Sequence, residues 1–164
     1  MRKESKAVVF LGLGGVGKTT YIYRVVGKSK TPRVTRRPDT YFLSSELYNL
    51  FLIDTPGQLV GEVVRRYYEA VVKYGVRIDL VVYMYSVVDL QTLEAIVEID
   101  KAASRFIKGG KILVGNKRDL GEEFGIFIEG DDVVKIVGAS GVYYTSALKD
   151  DPETLLLHIV ENLR

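Results

Sequence analysis

The stretch FLGLGGVGKTT, residues 10–20, decides the fold of this chain. Within it, residues 12–19 fit the pattern G-x-x-x-x-G-K-[ST] at every fixed position. Residues 7–11 before it form an apolar run rich in β-branched side chains, which indicates a buried strand, and residues 19–26 after it have the pattern of a helix. Strand, glycine-rich loop and helix therefore follow one another in the order that a phosphate-binding loop requires.

The chemistry of this loop follows from its residue types. Glycines let successive backbone N–H groups converge on one concavity, because a Cβ would forbid the required dihedral angles or the close approach. The concavity lies at a helix N-terminus, whose unpaired donors and dipole favour an anion. Lys18 adds a positive charge for the outer phosphates, and the Thr19 hydroxyl can ligate Mg²⁺.

Length and composition bound the remaining possibilities. The 164 residues suit one domain, 1–164, and 47% hydrophobic with 27% charged residues is typical of a soluble globular protein. The net charge of +2 is too small to indicate a nucleic-acid partner, and the lack of cysteine excludes disulfides and thiolate metal sites. With no apolar run of membrane-spanning length and no lipidation signal, we expect a cytoplasmic monomer without a stable membrane anchor.

Strand and helix patterns alternate along the chain, which predicts an α/β fold with a mostly parallel sheet. The predicted strands are 7–11, 40–45, 47–53, 78–86, 111–114 and 142–145, of which 40–45 and 47–53 form a hairpin. The predicted helices are 19–26, 62–73, 90–107, 131–138 and 152–163. Asp89 and Asp151 are predicted N-caps, Pro152 opens the last helix, and the acidic segment 120–132 is predicted to be irregular.

A second cluster, Asp54-Thr55-Pro56-Gly57-Gln58, follows directly on the apolar run 50–53. Asp54 therefore emerges at a strand end, where an aspartate holds Mg²⁺ directly or through water in phosphate-loop proteins. Gly57 can bring a backbone N–H to a terminal phosphate without side-chain obstruction. Gln58 is then placed to orient an attacking water.

A third cluster, Asn116-Lys117-Arg118-Asp119, follows the predicted strand 111–114, and a fourth, residues 146–148, follows the last predicted strand. An aspartate at a strand end accepts hydrogen bonds from both the ring N–H and the exocyclic amine of guanine, whereas adenine presents a different pattern. Asn116 can tie this segment to the phosphate loop, and the Lys117 stem can lie along the base. Ser146, Ala147 and Leu148 would supply backbone donors to the guanine oxygen.

The motifs GLGGVGKT, DTPGQ, NKRD and TSAL resemble, in this order, the first, third, fourth and fifth guanine-nucleotide boxes of the small GTPases of the Ras superfamily. The resemblance covers essentially the whole chain. It implies a P-loop NTPase (small G-protein) fold, in which a six-stranded, mostly parallel sheet with one antiparallel strand carries helices on both faces. It also implies GTP or GDP as ligand and Mg²⁺ as cofactor.

The same resemblance assigns roles to individual residues. The phosphates would contact Gly14, Gly15, Val16, Gly17, Lys18, Thr19, Thr20 and Gly57. The base would be held by Asn116, Lys117, Asp119, Ser146, Ala147 and Leu148. Catalysis would involve Gln58, Lys18 and Gly57, with Arg33 as a further candidate.

The family's second box requires a threonine in the first switch, whose hydroxyl reaches Mg²⁺ and whose N–H reaches the terminal phosphate. Thr31, Thr35 and Thr40 compete for this role. Because Thr40 starts a predicted strand and Thr31 precedes a proline, we favour Thr35. Its position nineteen residues before Asp54 resembles the spacing of the Arf and Rag branches. The candidate metal ligands are therefore Thr19, Thr35 and Asp54.

The first switch is also basic, and Arg33 lies two residues before Thr35, close to where G-protein α subunits carry an arginine that acts in cis. An arginine finger is worth about 10³ to 10⁵ in rate. The interpretation that we favour is a solvated basic loop that docks an acidic partner. Single-turnover hydrolysis by Arg33→Ala distinguishes the two, because an unchanged rate excludes catalysis by Arg33.

The resemblance thus implies a molecular switch that hydrolyses GTP to GDP and phosphate with Mg²⁺, slowly without a partner. The alternative is a nucleotide-locked scaffold that binds GTP or GDP with negligible turnover. A P-loop kinase or ATPase is disfavoured by the NKRD motif. A regulatory or effector protein is expected at the switch regions, and a roadblock or longin type is implied only by analogy with Rag and with bacterial or archaeal relatives.

Overall fold

The computed structural model describes residues 2–27, 33–34 and 39–163, with the backbone alone for 33–34. These ranges contain seven strands: β1 Glu4–Leu11, β2 Arg33–Val34, β3 Thr40–Ser44, β4 Tyr48–Asp54, β5 Leu80–Ser86, β6 Gly110–Asn116 and β7 Val142–Tyr144. They also contain six α-helices: α1 Lys18–Val26, α2 Val60–Tyr67, α3 Leu90–Ala103, α4 Arg118–Phe124, α5 Asp131–Val137 and α6 Pro152–Val160. None of these helices is long and apolar enough to cross a membrane.

The strands form one sheet in the order β2-β3-β4-β1-β5-β6-β7. β1 lies at its centre and pairs in parallel with β4 and β5, while β6 and β7 continue the parallel set. β3 pairs antiparallel with β4, as expected for the predicted hairpin. The predicted six-stranded sheet with one antiparallel strand is therefore confirmed, and the two-residue β2 adds a short edge beyond β3.

Two apolar clusters hold helices on both faces of the sheet. On one face Tyr21 and Ile22 of α1 pack with Leu155 and Ile159 of α6. On the other face the helices α2, α3 and α5 contribute apolar side chains to a second cluster. All seven residues of β5 are buried, which explains why its sequence is mostly apolar, because a central parallel strand is covered on both sides.

The segment 120–132 differs from its prediction. The sequence predicts an irregular segment, whereas residues 118–124 form α4, which ends at Gly125 in the left-handed conformation with φ 67°. The reason lies in packing that sequence periodicity does not show. Gly121 is buried in the middle of this helix, where a Cβ would lie 2.6 Å from the carbonyl oxygen of Ile126 and 3.1 Å from Val87 Cγ2. Close packing thus supports a helix whose glycine disfavours it by intrinsic propensity.

Helices α2 and α3 also depart from the predicted bounds. α2 begins at Val60 and passes into a π-helical turn, Tyr68–Val72, whereas α3 ends at Ala103 and passes into a 3-10 turn, Ser104–Phe106. The predicted caps are confirmed, because the Asp89 and Asp151 carboxylates accept hydrogen bonds from the N–H groups of Gln91 and Glu153. These caps fix where α3 and α6 start.

The five parallel strands all point their carboxyl ends to one edge of the sheet. The loops that follow β1, β4, β6 and β7 carry the four sequence motifs. In open α/β sheets, ligands bind outside the carboxyl ends of the strands, near the point where the strand order reverses. The fold therefore places the four motifs on one side of the molecule.

Candidate nucleotide-binding site

The loop between β1 and α1 presents an uncapped helix N-terminus. Gly17 is the N-cap of α1 and no side chain caps the helix there. Gly15 and Gly17 have φ angles of 81° and 104°, in the region that favours glycine. A Cβ on Gly17 would also overlap the Asn116 side-chain amide nitrogen. Free N–H donors and a helix dipole at this point suit an anion.

Lys18 is folded over the same loop. The residue is only 5% exposed, and Nζ donates to the carbonyl oxygens of Gly12 at 2.5 Å and Leu13 at 3.0 Å. Burial lowers the pKa of the Lys18 ammonium to about 8, partly offset by the negative charge of Asp54. A phosphate beside the ammonium would favour its charged form.

Thr19 and Asp54 meet at the start of α1. The Thr19 hydroxyl donates to Asp54 Oδ2 at 2.5 Å. The other carboxylate oxygen, Oδ1, is buried and has no hydrogen-bond partner among the described residues. The part of the chain that the structure describes holds no group of three or more His, Cys, Asp or Glu side chains arranged for a metal. Mg²⁺ is usually held by one or two carboxylates together with waters and substrate phosphates, so a hydroxyl beside an unpaired carboxylate oxygen fits this ion.

The segment after β4 lies against the phosphate loop. Gly14 N–H donates to the Gly57 carbonyl oxygen at 2.7 Å, and the Thr55 hydroxyl donates to the Phe10 carbonyl oxygen at 2.6 Å. The Gln58 side chain covers Gly14, because a Cβ built on Gly14 would lie 2.7 Å from Gln58 Cδ. The structure therefore places Gln58 directly beside the loop.

Asn116 connects three segments of the site. Its Nδ2 donates to the Val16 carbonyl oxygen at 2.8 Å. Its Oδ1 accepts from the Thr145 hydroxyl and from Ala147 N–H, each at 2.9 Å. This side chain therefore fixes the phosphate loop against the segments that follow β6 and β7.

A cleft of about 160 Å³ lies where these segments meet. It is lined by Gly17, Thr20, Asn116, Lys117, Asp119, Leu120, Ala147 and Leu148. Lys117 adopts the left-handed conformation, with φ 65°, as the chain turns from β6 into α4. Residues from the first, fourth and fifth motifs thus share one cleft.

The backbone donors predicted for the guanine oxygen are partly used within the protein. Ser146 N–H donates to Asp150 Oδ2 and Ala147 N–H to Asn116 Oδ1, each at 2.9 Å. The Ser146 hydroxyl oxygen is buried and has no hydrogen-bond partner in the described part of the chain. A base in the cleft would therefore compete with Asn116 for Ala147 N–H.

Only part of the first switch lies among the described residues. Thr31, Thr35 and the side chain of Arg33 lie outside the described residues. Thr40 is 6% exposed and starts β3, as predicted. Asp39, with φ 61°, precedes it, and the Asp39 carbonyl oxygen accepts a hydrogen bond from Asp54 N–H at 2.8 Å.

Three residues that sequence reasoning did not single out also shape the site. Arg118 binds Asp150 through two hydrogen bonds, although 32 residues separate them. Arg24 on α1 donates to the carbonyl oxygens of Leu148 at 2.9 Å and Asp150 at 2.5 Å. No local pattern in the sequence signals such pairs, because they depend on how β6, β7 and α1 are placed together.

A larger cleft, of about 950 Å³, lies at the opposite edge of the sheet. Its lining includes Lys6, Asp79 and Gly110, near the amino ends of β1, β5 and β6, and no residue of the four motifs. Size alone therefore does not mark the site, and the polar groups converge on the smaller cleft.

Comparison with known proteins identifies the family. Residues 7–117 match the family model described as 50S ribosome-binding GTPase. The chain belongs to this GTPase family. The matched residues include the phosphate loop, the cluster 54–58 and Asn116, and they end before Asp119. A search of curated protein sequences found no significant match.

The fold of this GTPase domain is shared with solved structures. The structure of the FeoB G-domain from Methanococcus jannaschii matches with a TM-score of 0.68 and 24% identity, over 98% of this chain and 98% of that chain. The predicted P-loop GTPase fold is thereby confirmed. Binding of guanine nucleotide follows from the family. What the protein does with the bound nucleotide has to be argued from the individual residues of the site.

Proposed function

We propose that this chain is a nucleotide-dependent switch that binds GTP with Mg²⁺ and hydrolyses it to GDP and phosphate. The observation that carries the proposal is the shared cleft, in which Gly17 and Thr20 of the phosphate-binding segment and Asp119 line one cavity. Triphosphate on the loop then brings the base to Asp119. Asn116 holds the phosphate loop and the segment after β7 together through its three hydrogen bonds.

Catalysis is mostly positional and electrostatic in phosphoryl transfer. Lys18 and the backbone donors at the start of α1 would take up negative charge that develops on the phosphoryl oxygens. Gln58 would orient the attacking water, since its side chain lies beside Gly14 at the loop. Thr19, Asp54 and Thr35 of the first switch would hold Mg²⁺, whose positive charge would stabilise the negative charge of the phosphates.

Switching requires that a segment sense the terminal phosphate. Gly57 and Gln58 are the described residues placed to do so, because Gly57 contacts Gly14 and leads into α2. Hydrolysis would remove the terminal phosphate, and with it the contact that orders the segment of Gly57 and Gln58. Loss of order after hydrolysis is the general mechanism of GTPase switches. We infer that a regulatory or effector protein binds at α2 and the first switch and distinguishes the GTP-bound from the GDP-bound form.

The test is to identify the bound nucleotide and to follow its turnover. We expect mass analysis of the purified protein to show GDP or GTP, and added GTP with Mg²⁺ to release phosphate. Displacement by ADP as effective as that by GDP would support a P-loop ATPase or kinase instead. Bound guanine nucleotide without phosphate release would support the locked scaffold.

Removal of Mg²⁺ is expected to speed nucleotide release. Chelation should raise the dissociation rate of a fluorescent GDP analogue by about tenfold, which corresponds to about 1.4 kcal/mol, because the positive charge that Mg²⁺ would supply beside Thr19 and Asp54 is removed. Asp54→Asn should release the analogue as fast with Mg²⁺ as the wild type does after chelation. Glu98→Gln, an exposed carboxylate on α3, is the matched control and should behave as wild type. If chelation leaves the wild-type rate unchanged, the metal site is wrong.

A further inference from the structure

The two segments proposed to hold the base follow the neighbouring strands β6 and β7. Residues 116–119 follow β6, and residues 145–150 follow β7. The Arg118 N–H donates to the Thr145 carbonyl oxygen at 3.0 Å, next to the bonds made by Asn116. Beyond Ala147, the backbone alone does not keep the second segment against the first.

The ion pair between Arg118 and Asp150 joins the two segments beyond Ala147. Arg118 Nη2 donates to Asp150 Oδ1 at 2.5 Å, and Nη1 donates to Asp150 Oδ2 at 3.2 Å and to the Tyr144 carbonyl oxygen at 2.8 Å. Asp150 Oδ2 also accepts from Ser146 N–H at 2.9 Å. A guanidinium and a carboxylate that meet in this two-pronged way are held in one geometry, which a single-point contact does not achieve.

The environment of the pair indicates a strong contact. The Asp150 side chain is only 15% exposed, and that of Arg118 is 35% exposed. Burial by itself would raise the pKa of the Asp150 carboxyl, yet the hydrogen bonds from Arg118 and Ser146 lower it below its usual value. A second ion-pair partner of Arg118, Glu122, lies 3.9 Å from Arg118 Nε with a side chain that is 74% exposed, so it competes weakly with Asp150.

We propose that the Arg118–Asp150 ion pair is a latch that sets how fast guanine nucleotide leaves the site. The inference rests on the proposed function, since it concerns the same base-binding cleft. Leu148 lines the cleft and lies between Ser146 and Asp150. Arg118 holds Asp150 directly, and Asp150 Oδ2 in turn accepts a hydrogen bond from Ser146 N–H. For the base to leave, the segment 146–150 must move away from residues 117–119, and the latch must break first. Arg118 and Asp150 are therefore positioning residues, which act on the base through the loop.

The test measures release and association of a fluorescent GDP analogue separately. Arg118→Met and Asp150→Asn should each raise the dissociation rate about tenfold, as expected for loss of a partly buried charged hydrogen-bond pair. The association rate should stay within about twofold. Arg118→Lys, which keeps the charge and loses the two-pronged geometry, should lie between wild type and Arg118→Met.

Two comparisons separate the latch from general stabilisation. The double variant Arg118→Met with Asp150→Asn should release nucleotide no faster than the quicker single variant, because both changes break one contact. Glu122→Gln removes the exposed partner of Arg118 and should leave release unchanged. A purely structural role would instead lower the unfolding temperature of the nucleotide-free protein without changing the ratio of release to association rates.

The outcomes distinguish the latch from the function on which it depends. If the wild type binds the analogue and both single variants release it at the wild-type rate, the latch is overturned and the proposed function stands. If the two effects multiply in the double variant, the residues act independently and the latch is likewise overturned. If the wild type binds no guanine nucleotide, the proposed function and the latch both fall. Should Asp150→Asn not fold, Arg118→Lys and Arg118→Met carry the test.

Discussion

Asp119→Asn is expected to lower the affinity for GDP by about 10³-fold and to raise that for xanthosine diphosphate. Asp119 lines the cleft of about 160 Å³ together with Lys117 and Ala147. In the proposed complex it accepts two hydrogen bonds from guanine, and a hydrogen bond to a charged group is worth about 1.5–3 kcal/mol. Losing both costs about 3–6 kcal/mol, and each 1.4 kcal/mol is tenfold in affinity. Xanthine carries a carbonyl where guanine carries its amine, so the asparagine amide can donate to it.

The ratio of the two affinities is the informative measurement. Asp119 also lies in the first turn of α4, where a negative charge favours the helix by about 0.3–1 kcal/mol. Losing that contribution would weaken both nucleotides equally, whereas a change in base recognition moves their affinities in opposite directions. Glu123→Gln is the matched control, because it removes a negative charge from an exposed position of the same helix.

Competition titrations with GDP and xanthosine diphosphate, both against one fluorescent analogue, measure this ratio. If Asp119→Asn keeps the wild-type preference for GDP, the base does not bind at Asp119. The assignment of the fourth and fifth motifs, NKRD and TSAL, would then be wrong, even if the phosphates occupy the predicted loop. The result thus tests the base half of the site separately from the phosphate half.

The features that the sequence predicts correctly are those encoded over short distances. Residues 12–19 carry their glycines, lysine and threonine in a fixed spacing, and alternating apolar runs predict the order of strands and helices. The Asp89 and Asp151 caps are local as well, since each carboxylate bonds an N–H two residues along the chain. Such patterns predict the fold class and the edge of the sheet where the motifs gather.

The features that the sequence does not predict depend on contacts between distant segments of the chain. The Arg118–Asp150 pair forms only because β6 and β7 are neighbours, and Arg24 reaches the same loop from α1. The sequence does not predict helix α4, because burial of Gly121 against Val87 and Ile126 outweighs the poor helix propensity of glycine. The threonine of the first switch stays a prediction, because Thr35 lies outside the described residues.

Gly14→Val is expected to bind GTP and to hydrolyse it about 10²-fold more slowly than wild type. A Cβ on Gly14 would lie 2.7 Å from Gln58 Cδ and 2.9 Å from Gln58 Oε1. Gly14 is not among the glycines with positive φ, so the backbone accepts a valine there. The clash is with the exposed end of a flexible side chain, which can swing away at low cost in stability. Gln58 is then displaced from the water, and positioned groups of this kind contribute about 10²–10⁴ in rate.

The control introduces the same side chain on the neighbouring helix. Gly61 lies in α2, and nothing lies within 4 Å of a Cβ built on it. Gly61→Val should therefore hydrolyse GTP at the wild-type rate. Single-turnover phosphate release measures hydrolysis, and binding of a fluorescent GTP analogue, measured separately, shows that the loop still holds the phosphates.

A double-variant cycle shows whether Gly14→Val acts through Gln58. In a Gln58→Ala background the clash is absent, so adding Gly14→Val should slow hydrolysis by less than twofold further. Residues that act as one unit give strongly non-additive losses, whereas independent residues multiply. If the two losses multiply, valine at position 14 disturbs the phosphates themselves rather than Gln58. If Gly14→Val hydrolyses at the full wild-type rate, the position of Gln58 beside Gly14 has no role in the reaction and another group must orient the water.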